Sequence, residues 1–174
     1  YRLFYNLRDT PIGSFRWSLN VSQRLKLFQE ASEDHQVLLD ALAAGTISSV
    51  TVSGVEDLLR RNGRPEWKAS STLTWTQGPW SVGLYSSYVS DFFDTSATFT
   101  GTTDPWIIDA WTTHNLYVQY TFRNDGWMDG TRVRIGARNI EDKDPPLADD
   151  RFGYSGSVHS NRGRWFYATV RRSF

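Results

Sequence analysis

Apolar and polar residues alternate along seven stretches of the chain. A period of two is typical of a β-strand, because successive side chains point to opposite faces. Residues 1–8 look like the end of one such strand. In the other six stretches, the apolar positions are Phe15, Trp17, Leu19 and Val21; Trp67, Ala69, Leu73 and Trp75; Trp80, Val82, Leu84 and Tyr88; Leu116, Val118, Tyr120 and Phe122; Val133, Ile135 and Ala137; and Phe166, Ala168, Val170 and Phe174.

The connections between these stretches are alternately short and long. The short ones, Asp9–Gly13, Gln77–Pro79 and Asn124–Gly130, are rich in turn-forming residues, whereas those near 29–66, 91–108 and 141–163 are long. Outer-membrane barrels have short turns at one end and long loops at the other, and their strands span the bilayer in about ten residues. We therefore predict an all-β fold, a transmembrane antiparallel β-barrel, of which the chain supplies about seven strands.

The composition supports this prediction. Eight Trp, eight Tyr and ten Phe make up 15% of the residues, and such side chains are enriched where a protein surface meets a bilayer interface. We expect girdle positions at the ends of the apolar runs, at Trp17, Trp67, Trp75, Trp80, Tyr88 and Phe122. The 19 basic and 19 acidic residues balance, so no nucleic-acid partner is predicted, and the lack of Cys excludes disulfides and thiolate metal sites.

The odd number of strands is the next feature. Single-chain bacterial barrels have an even number of strands, and unpaired strand edges in lipid cost several kcal/mol per backbone group. We therefore expect these strands to pair with others upstream. The chain ends at Phe174 in a strand with an aromatic terminus, as bacterial barrels commonly do. On that basis the final strand runs towards the periplasm, and the segment 141–163 is extracellular.

Three segments resemble TonB-dependent outer-membrane receptors. "GRPEWKASSTLTWTQGPWSVGLYSSY" at 63–88 resembles a downward strand, a GPW turn and an upward strand of that family. "VRIGARNIEDKDPPL" at 133–147 resembles the next-to-last strand, and "GYSGSVHSNRGRWFYATVRRSF" at 153–174 the last loop and strand. The resemblance covers residues 63–174 well and 1–28 more loosely, and residues 29–62 match nothing in it.

The resemblance implies the C-terminal part of a 22-stranded barrel in the bacterial outer membrane. Its partners would be membrane lipid, the upstream strands, an N-terminal plug that is absent from this sequence, and TonB, which acts through the plug. Such receptors actively import a scarce extracellular solute of the iron-siderophore, cobalamin or carbohydrate class. No cofactor is expected.

Two groups of residues are candidates for binding. The loop residues Trp106, Phe152, Tyr154, His159 and Arg162 are candidates for ligand contact, although packing between loops or in a girdle is the commoner role of such aromatics. A second group, basic and predicted to face the lumen, could hold carboxylates of a plug or of neighbouring strands, or an anionic solute. It comprises Arg16, Arg24, Arg132, Arg134 and Arg138, with Lys26 and Arg171 beside them.

Catalytic and metal chemistry has little support in the sequence. The three histidines, His35, His114 and His159, are far apart, and we interpret them as surface residues. No serine lies in a nucleophile elbow, so no enzyme is predicted. The acidic group Glu141, Asp142, Asp144, Asp149 and Asp150 lacks the spacing of a calcium loop and is interpreted as a solvated loop.

Residues 29–62 have their own signals. Ser32 is a helix N-cap before a helical run over Gln36–Ala44 that ends at Gly45. Ser53–Glu56 has the spacing of a capping box ahead of a second helical turn, and Ile47–Val52 is β-like. The loop could form a lid over the barrel mouth or pack against neighbouring loops.

Three alternatives stay open. A passive porin or structural barrel complete in 174 residues would need Ile47–Val52 as an eighth strand. An outer-membrane enzyme would need a Ser–His or His–Asp set at the lipid interface. A soluble β-sandwich that binds a ligand would bury its Trp-rich face within the protein.

Overall fold

A computed structural model describes residues 1–48, 55–123 and 126–172. Eleven strands and one helix are found in these residues. In chain order they are β1 (Arg2–Thr10), β2 (Gly13–Gln23), β3 (Phe28–Gln29), α1 (Glu33–Ala43), β4 (Glu56–Asp57), β5 (Trp67–Gln77), β6 (Trp80–Val89), β7 (Phe92–Thr98), β8 (Pro105–Ile108), β9 (Trp111–Thr121), β10 (Arg132–Arg138) and β11 (Trp165–Arg171). No helix in the described ranges is long and apolar enough to cross a membrane.

Seven of the strands form one antiparallel sheet in the order β1-β2-β5-β6-β9-β10-β11. These are the seven strands that the alternation predicts, so the all-β antiparallel prediction is confirmed. Cross-strand partners share a face, and one rung across the whole sheet shows that the apolar positions lie in register. That rung is Tyr5, Trp17, Leu73, Leu84, Leu116, Ala137 and Phe166.

The sheet is open. β1 pairs only with β2, and β11 pairs only with β10, so the two outer strands do not close on each other in the described ranges. The small closed barrel would need an eighth strand from Ile47–Val52. Ile47 and Ser48 are outside any strand, and the rest of that segment, like the terminal Phe174, lies outside the described residues.

The apolar face of the sheet is exposed. Ile135, Phe166 and Val170 are 61%, 73% and 69% exposed, respectively. The buried apolar side chains of the described residues are instead Val89, Phe92 and Ile108, which lie at the long-loop end of the sheet. A β-sandwich would cover the apolar face, and none of the described residues forms such a covering layer; the exposed apolar face is what a barrel prediction expects.

Aromatic rings gather on the apolar face where the turns connect the strands. Tyr120 packs edge-on against Trp80 at 4.8 Å and against Phe122 at 4.9 Å between ring centroids. Nearby, the Trp75 Nε1–H donates to the carbonyl of Ile12 at 2.6 Å. Of these residues, Trp75, Trp80 and Phe122 are among the predicted girdle positions, and Tyr120 is an addition to them.

Trp17 departs from the girdle prediction. It lies in the middle of β2, where its Nε1–H donates to Ser71 Oγ at 2.9 Å. The prediction was wrong because the alternating run was read as starting at Phe15, whereas the strand is longer at both ends.

The short connections behave as predicted where they are described. Gln77 pairs with Trp80 across a two-residue turn, and Gly78 adopts a φ of 55° there. Two-residue hairpin turns need a positive φ, which glycine adopts without a steric penalty. In the Asn124–Gly130 connection, Asn124 and Asp125 lie outside the described residues.

The first long loop contains the predicted helix. Ser32 caps α1, its side chain accepting from the His35 N–H, and Gly45 follows the helix with a φ of 68°. The second predicted helix is wrong. Glu56 and Asp57 form β4, which pairs with β3, because backbone pairing with Phe28–Gln29 outweighs a capping signal without a long apolar run behind it. Residues 53 and 54 of that signal are outside the described ranges.

Glycines on the polar face accommodate tyrosine rings from neighbouring strands. Tyr117 lies opposite Gly83 on β6 and Gly136 on β10, and Tyr167 lies on the far side of Gly136. A Cβ added at Gly83 would collide with the Tyr117 ring, and one added at Gly136 would lie 2.5 Å from the Tyr167 ring. The rings therefore lie flat against the sheet over positions that carry no side chain.

We predict that Gly83→Ala destabilises the full-length protein by about 1–3 kcal/mol, because the Tyr117 ring must move to make room for the methyl group. Gly156→Ala is the control, since the nearest atom to its added Cβ is 3.9 Å away. Urea unfolding in detergent micelles measures both. Equal stability of the two variants would contradict close packing of the ring on Gly83.

Candidate ligand-binding site

The first and second long loops, residues 24–66 and 90–110, are joined by backbone pairing. Arg61 and Phe93 form a parallel bridge, and the Asn62 N–H donates to the carbonyl of Phe93 at 2.8 Å. The Asn62 side chain donates to Thr95 Oγ1 at 2.7 Å and accepts from the Thr95 N–H at 2.9 Å. The second loop, predicted only as a long connection, is folded into the β7–β8 hairpin.

The third long loop, residues 139–164, packs on that hairpin. The Trp106 Nε1–H donates to the carbonyl of Leu147 at 3.1 Å, and Asp94 Oδ2 accepts from the Asp149 N–H at 2.8 Å. Phe92, which is fully buried, stacks on His159 at 5.8 Å between ring centroids. The three long loops thus form one structure, which we call the loop cap.

A cavity of about 530 Å³ lies between the third long loop and the polar face of the sheet. Arg138 and Trp165 face each other on β10 and β11 at its base, with Asn115 opposite Arg138 on β9. Because Leu116 pairs with Ala137 in the antiparallel register, Asn115 and Arg138 lie opposite each other on the next rung. The Arg138 guanidinium lies 4.7 Å from the centre of the Trp165 indole, which holds it in place by a cation–π contact.

A tight turn after β10 fixes the edge of the cavity. Asn139 is buried with a φ of 48°, and its N–H donates to Asn115 Oδ1 at 2.9 Å. Its side chain donates to the carbonyl of Lys143 at 2.9 Å and accepts from the Lys143 N–H at 3.0 Å. The positive φ is tolerated because asparagine adopts the left-handed region more readily than most residues do. The turn therefore holds the start of the third loop against the strands.

His159 is the most enclosed polar side chain at this cavity. It is 5% exposed and lies between Phe92 and Trp111, the latter edge-on at 5.3 Å. Among the described residues, neither ring nitrogen has a hydrogen-bond partner. Burial lowers the pKa of His159, and the charge of Lys68 lowers it further. The imidazole is thus neutral at physiological pH, with an unused donor and an unused acceptor beside a cavity.

The prediction that all three histidines lie at the surface is therefore wrong for His159. Its burial depends on the β7–β8 hairpin, whose fold the alternation did not reveal. His35 is half-buried and shares a 3.1 Å hydrogen bond with Ser32 Oγ. His114 is half-buried and shares one of 2.7 Å with Ser86 Oγ.

The five residues predicted for ligand contact separate into two groups. Tyr154, His159 and Arg162 line the cavity. Trp106 instead packs against Phe99 at 4.9 Å within the loop cap, and Phe152 is 70% exposed beneath the guanidinium of Arg151. Neither of the last two lines the cavity.

The predicted basic residues lie on the polar face. Arg16, Arg132, Arg134 and Arg138 occupy its rungs by register. Arg24 follows β2 by one residue, and its N–H donates to the carbonyl of Glu66 at 2.8 Å, so it continues the same alternation. That this face lines a lumen stays a prediction.

Sequence reasoning missed several residues that line the cavity. The missed residues on strands could have been found from the polar-face alternation, because it places them at the long-loop ends of β9 and β11. The missed residues in the third long loop follow no pattern in the sequence that would have identified them. The missed residues are Trp111, Thr113, Asn115, Asn139, Gly156, Ser160, Asn161, Gly163 and Trp165.

The acidic residues of the third loop have local partners. Asp142 Oδ1 accepts from the Arg164 N–H at 2.6 Å, and the two side chains form an ion pair at 3.7 Å. In the part of the chain that the structure describes, no three His, Cys, Asp or Glu side chains are grouped so as to hold a metal ion.

Comparisons with known proteins give one family. The family model described as "TonB dependent receptor-like, beta-barrel" matches residues 12–140. A similar solved structure is the copper transporter OprC, with 18% identity and a TM-score of 0.47. The match covers 97% of this chain and 22% of that one, so the chain spans about a fifth of its length. No curated protein matches the chain.

We predict that the loop cap loses stability as the pH falls below about 6.5, the ordinary pKa of an imidazole. Because burial lowers the pKa of His159, the unfolded state takes up the proton first, and the loss stops once the folded-state pKa is passed. Thermal unfolding of the full receptor at pH 7.5 and 5.0 measures this.

The matched variants are His159→Phe, which keeps an aromatic ring without a titrating group, and His35→Gln, which removes a half-buried histidine that lies outside the cavity and is hydrogen-bonded to Ser32. His159→Phe should reduce the pH dependence and His35→Gln should not. An unchanged pH dependence in His159→Phe would contradict the role assigned to the buried imidazole.

Proposed function

We propose a function on the premise that the chain belongs to the TonB-dependent receptor-like β-barrel family, whose model matches residues 12–140. The chain forms part of the barrel wall and loop cap of a bacterial outer-membrane receptor that actively imports a scarce solute. The apolar face contacts membrane lipid, and the polar face lines the lumen. Upstream strands complete the barrel, and a plug within it receives energy from TonB. Members of this family are transporters and receptors rather than enzymes.

The observation that carries this proposal is the cavity under the third long loop. It lies where the strand ends of the polar face meet the loop cap, which is the place where a solute entering a barrel from outside meets the wall. Its volume of about 530 Å³ is within the range of small-molecule sites. We propose Tyr154, His159 and Arg162 as ligand contacts, together with Arg138 and Trp165.

The lining of the cavity favours a solute rich in oxygen atoms. Arg138 and Arg162 supply guanidinium donors, and Asn161 supplies an amide. The indole of Trp165 and the ring of Tyr154 offer flat apolar surfaces. Ferric siderophores, cobalamin and carbohydrates all present oxygen acceptors beside apolar surface, so the three classes remain candidates within the proposal.

A passive channel is the alternative function. Tyr117 and Tyr167 pack flat over glycines and so leave the polar face clear, which favours a channel. The two functions differ in their energy source. Uptake by an active receptor requires TonB, whereas diffusion through a channel does not.

We predict that Arg138→Gln weakens solute binding by about tenfold, because a charge-assisted hydrogen bond contributes roughly 1.5–3 kcal/mol. Titration of the full-length receptor with a ferric siderophore, cobalamin and an oligosaccharide measures binding. Uptake of the solute that binds is then compared in cells with and without TonB. Arg151→Gln is the matched control, since this arginine also lies over an aromatic ring, Phe152, but outside the cavity.

The results separate the proposals. Weaker binding by Arg138→Gln alone, with uptake lost in the absence of TonB, supports an active receptor with this site. Equal binding by both variants would contradict the site. Uptake that persists without TonB would contradict active transport and support the channel.

A further inference from the structure

Within the paired residues of the seven strands, the polar face carries positive charge and no carboxylate; Glu66 lies just outside them, before β5 and opposite Arg24. No position that the strand register places on this face is Asp or Glu. The cations that the register places on it are Arg2, Arg16, Lys68, Arg132, Arg134, Arg138 and Arg171, and Arg8 lines a concavity of this face beside Arg16. A wall with this charge attracts anions, and the attraction is strongest where the cations are closest together.

Three of the cations line one concavity at the end of β10 and β11 that lies away from the third long loop. Arg132 lies directly opposite Arg171, and Arg134 lies one rung further along the same face. The three side chains, with Gln119 and Thr169, surround a concavity of about 280 Å³. Arg138 lies about 20 Å from Arg132 along the strand, given about 3.4 Å per residue, so this concavity is separate from the cavity under the loop cap.

Arg134 is held in a fixed orientation. Its Nε and Nη2 donate to Gln119 Oε1 at 3.1 and 2.8 Å, and its guanidinium lies 4.1 Å from the centre of the Tyr117 ring. A guanidinium fixed in this way loses little conformational entropy when it binds a further acceptor. Its Nη1 has no partner among residues 1–48, 55–123 and 126–172.

Among the described residues, Arg132 and Arg171 have no acidic ion-pair partner. Like charges directly opposite each other in an antiparallel pair are destabilising. The ion pairs Arg60–Asp91, Arg61–Glu56 and Arg164–Asp142 all involve residues outside this cluster. An anion between the two guanidinium groups would convert this repulsion into attraction.

We propose that Arg132, Arg134 and Arg171 form an oxyanion-binding site at the turn end of the polar face. The ligand is a carboxylate or phosphate group, which matches the planar donor pattern of guanidinium in a bidentate contact. The group belongs either to a small solute or to another part of the receptor packed against this wall. The site does not depend on the transport activity proposed above.

The test is whether the substitution Arg132→Gln lowers or raises the Tm. Arg132→Gln keeps the length of the side chain and removes its charge. If an oxyanion occupies the site, the variant loses an attractive contact and its Tm falls. If the site is empty, the variant loses only repulsion from Arg171 and its Tm rises or stays the same.

The measurement is thermal unfolding of the full-length receptor in a neutral detergent, with inorganic phosphate or chloride at equal ionic strength. Arg16→Gln is the matched control, because Arg16 lies on the same face but on β2, opposite the neutral Asn6 and Thr74. Arg8 lines the same concavity as Arg16, so loss of the Arg16 charge removes repulsion and is not expected to lower the Tm. Arg171→Gln is expected to repeat the behaviour of Arg132→Gln.

Two results support the site. In the first, phosphate raises the Tm of the unaltered receptor more than chloride does, and Arg132→Gln needs about tenfold more phosphate for the same rise. The oxyanion is then exchangeable, and a solute can supply it. In the second, phosphate and chloride have the same effect on the Tm, but Arg132→Gln lowers the Tm and Arg16→Gln does not. A carboxylate of the receptor then supplies the oxyanion.

Two results overturn the site. One is a Tm for Arg132→Gln that equals or exceeds that of the unaltered receptor, without a specific effect of phosphate. The other is a phosphate effect that Arg132→Gln leaves intact, which would place the anion elsewhere on the protein.

Discussion

The register of the seven antiparallel strands is the constraint on which the rest of the structure depends. A shift of one residue between two strands would move every side chain of one strand to the opposite face. The rung that begins at Tyr5 and Trp17 and ends at Phe166 is apolar throughout, and the next rungs carry the arginines. The same register brings Asn115, Arg138 and Trp165 together under the third loop, so the cavity exists only because the strands are aligned.

The sheet could be predicted from the sequence because its physical signal is local. Alternation of apolar and polar residues located all seven strands, and Gly78 and Ser32 marked a turn and a helix start that the structure confirms. These signals work because strand faces, tight turns and helix caps each depend on residues close together in the chain.

The loop cap could not be predicted in the same way, since its contacts join residues far apart in sequence. The bridge between Arg61 and Phe93 and the stacking of Phe92 on His159 leave no periodic trace in either segment. His159 was therefore assigned to the surface, and Glu56 to a helix that does not form. At the candidate site, the predicted residues were those with distinctive chemistry, and the missed ones, such as Asn139, have mainly a positional role.

The joining of the three long loops has a consequence for how the outer surface of this protein can be recognised. Asn62 and Thr95 hold two of the loops together, and Asp94 and Asp149 hold the third. An antibody that binds the folded cap would therefore see a conformational epitope assembled from all three segments. A synthetic peptide copied from one segment lacks the partners that give it shape, and is a poor immunogen for the native surface.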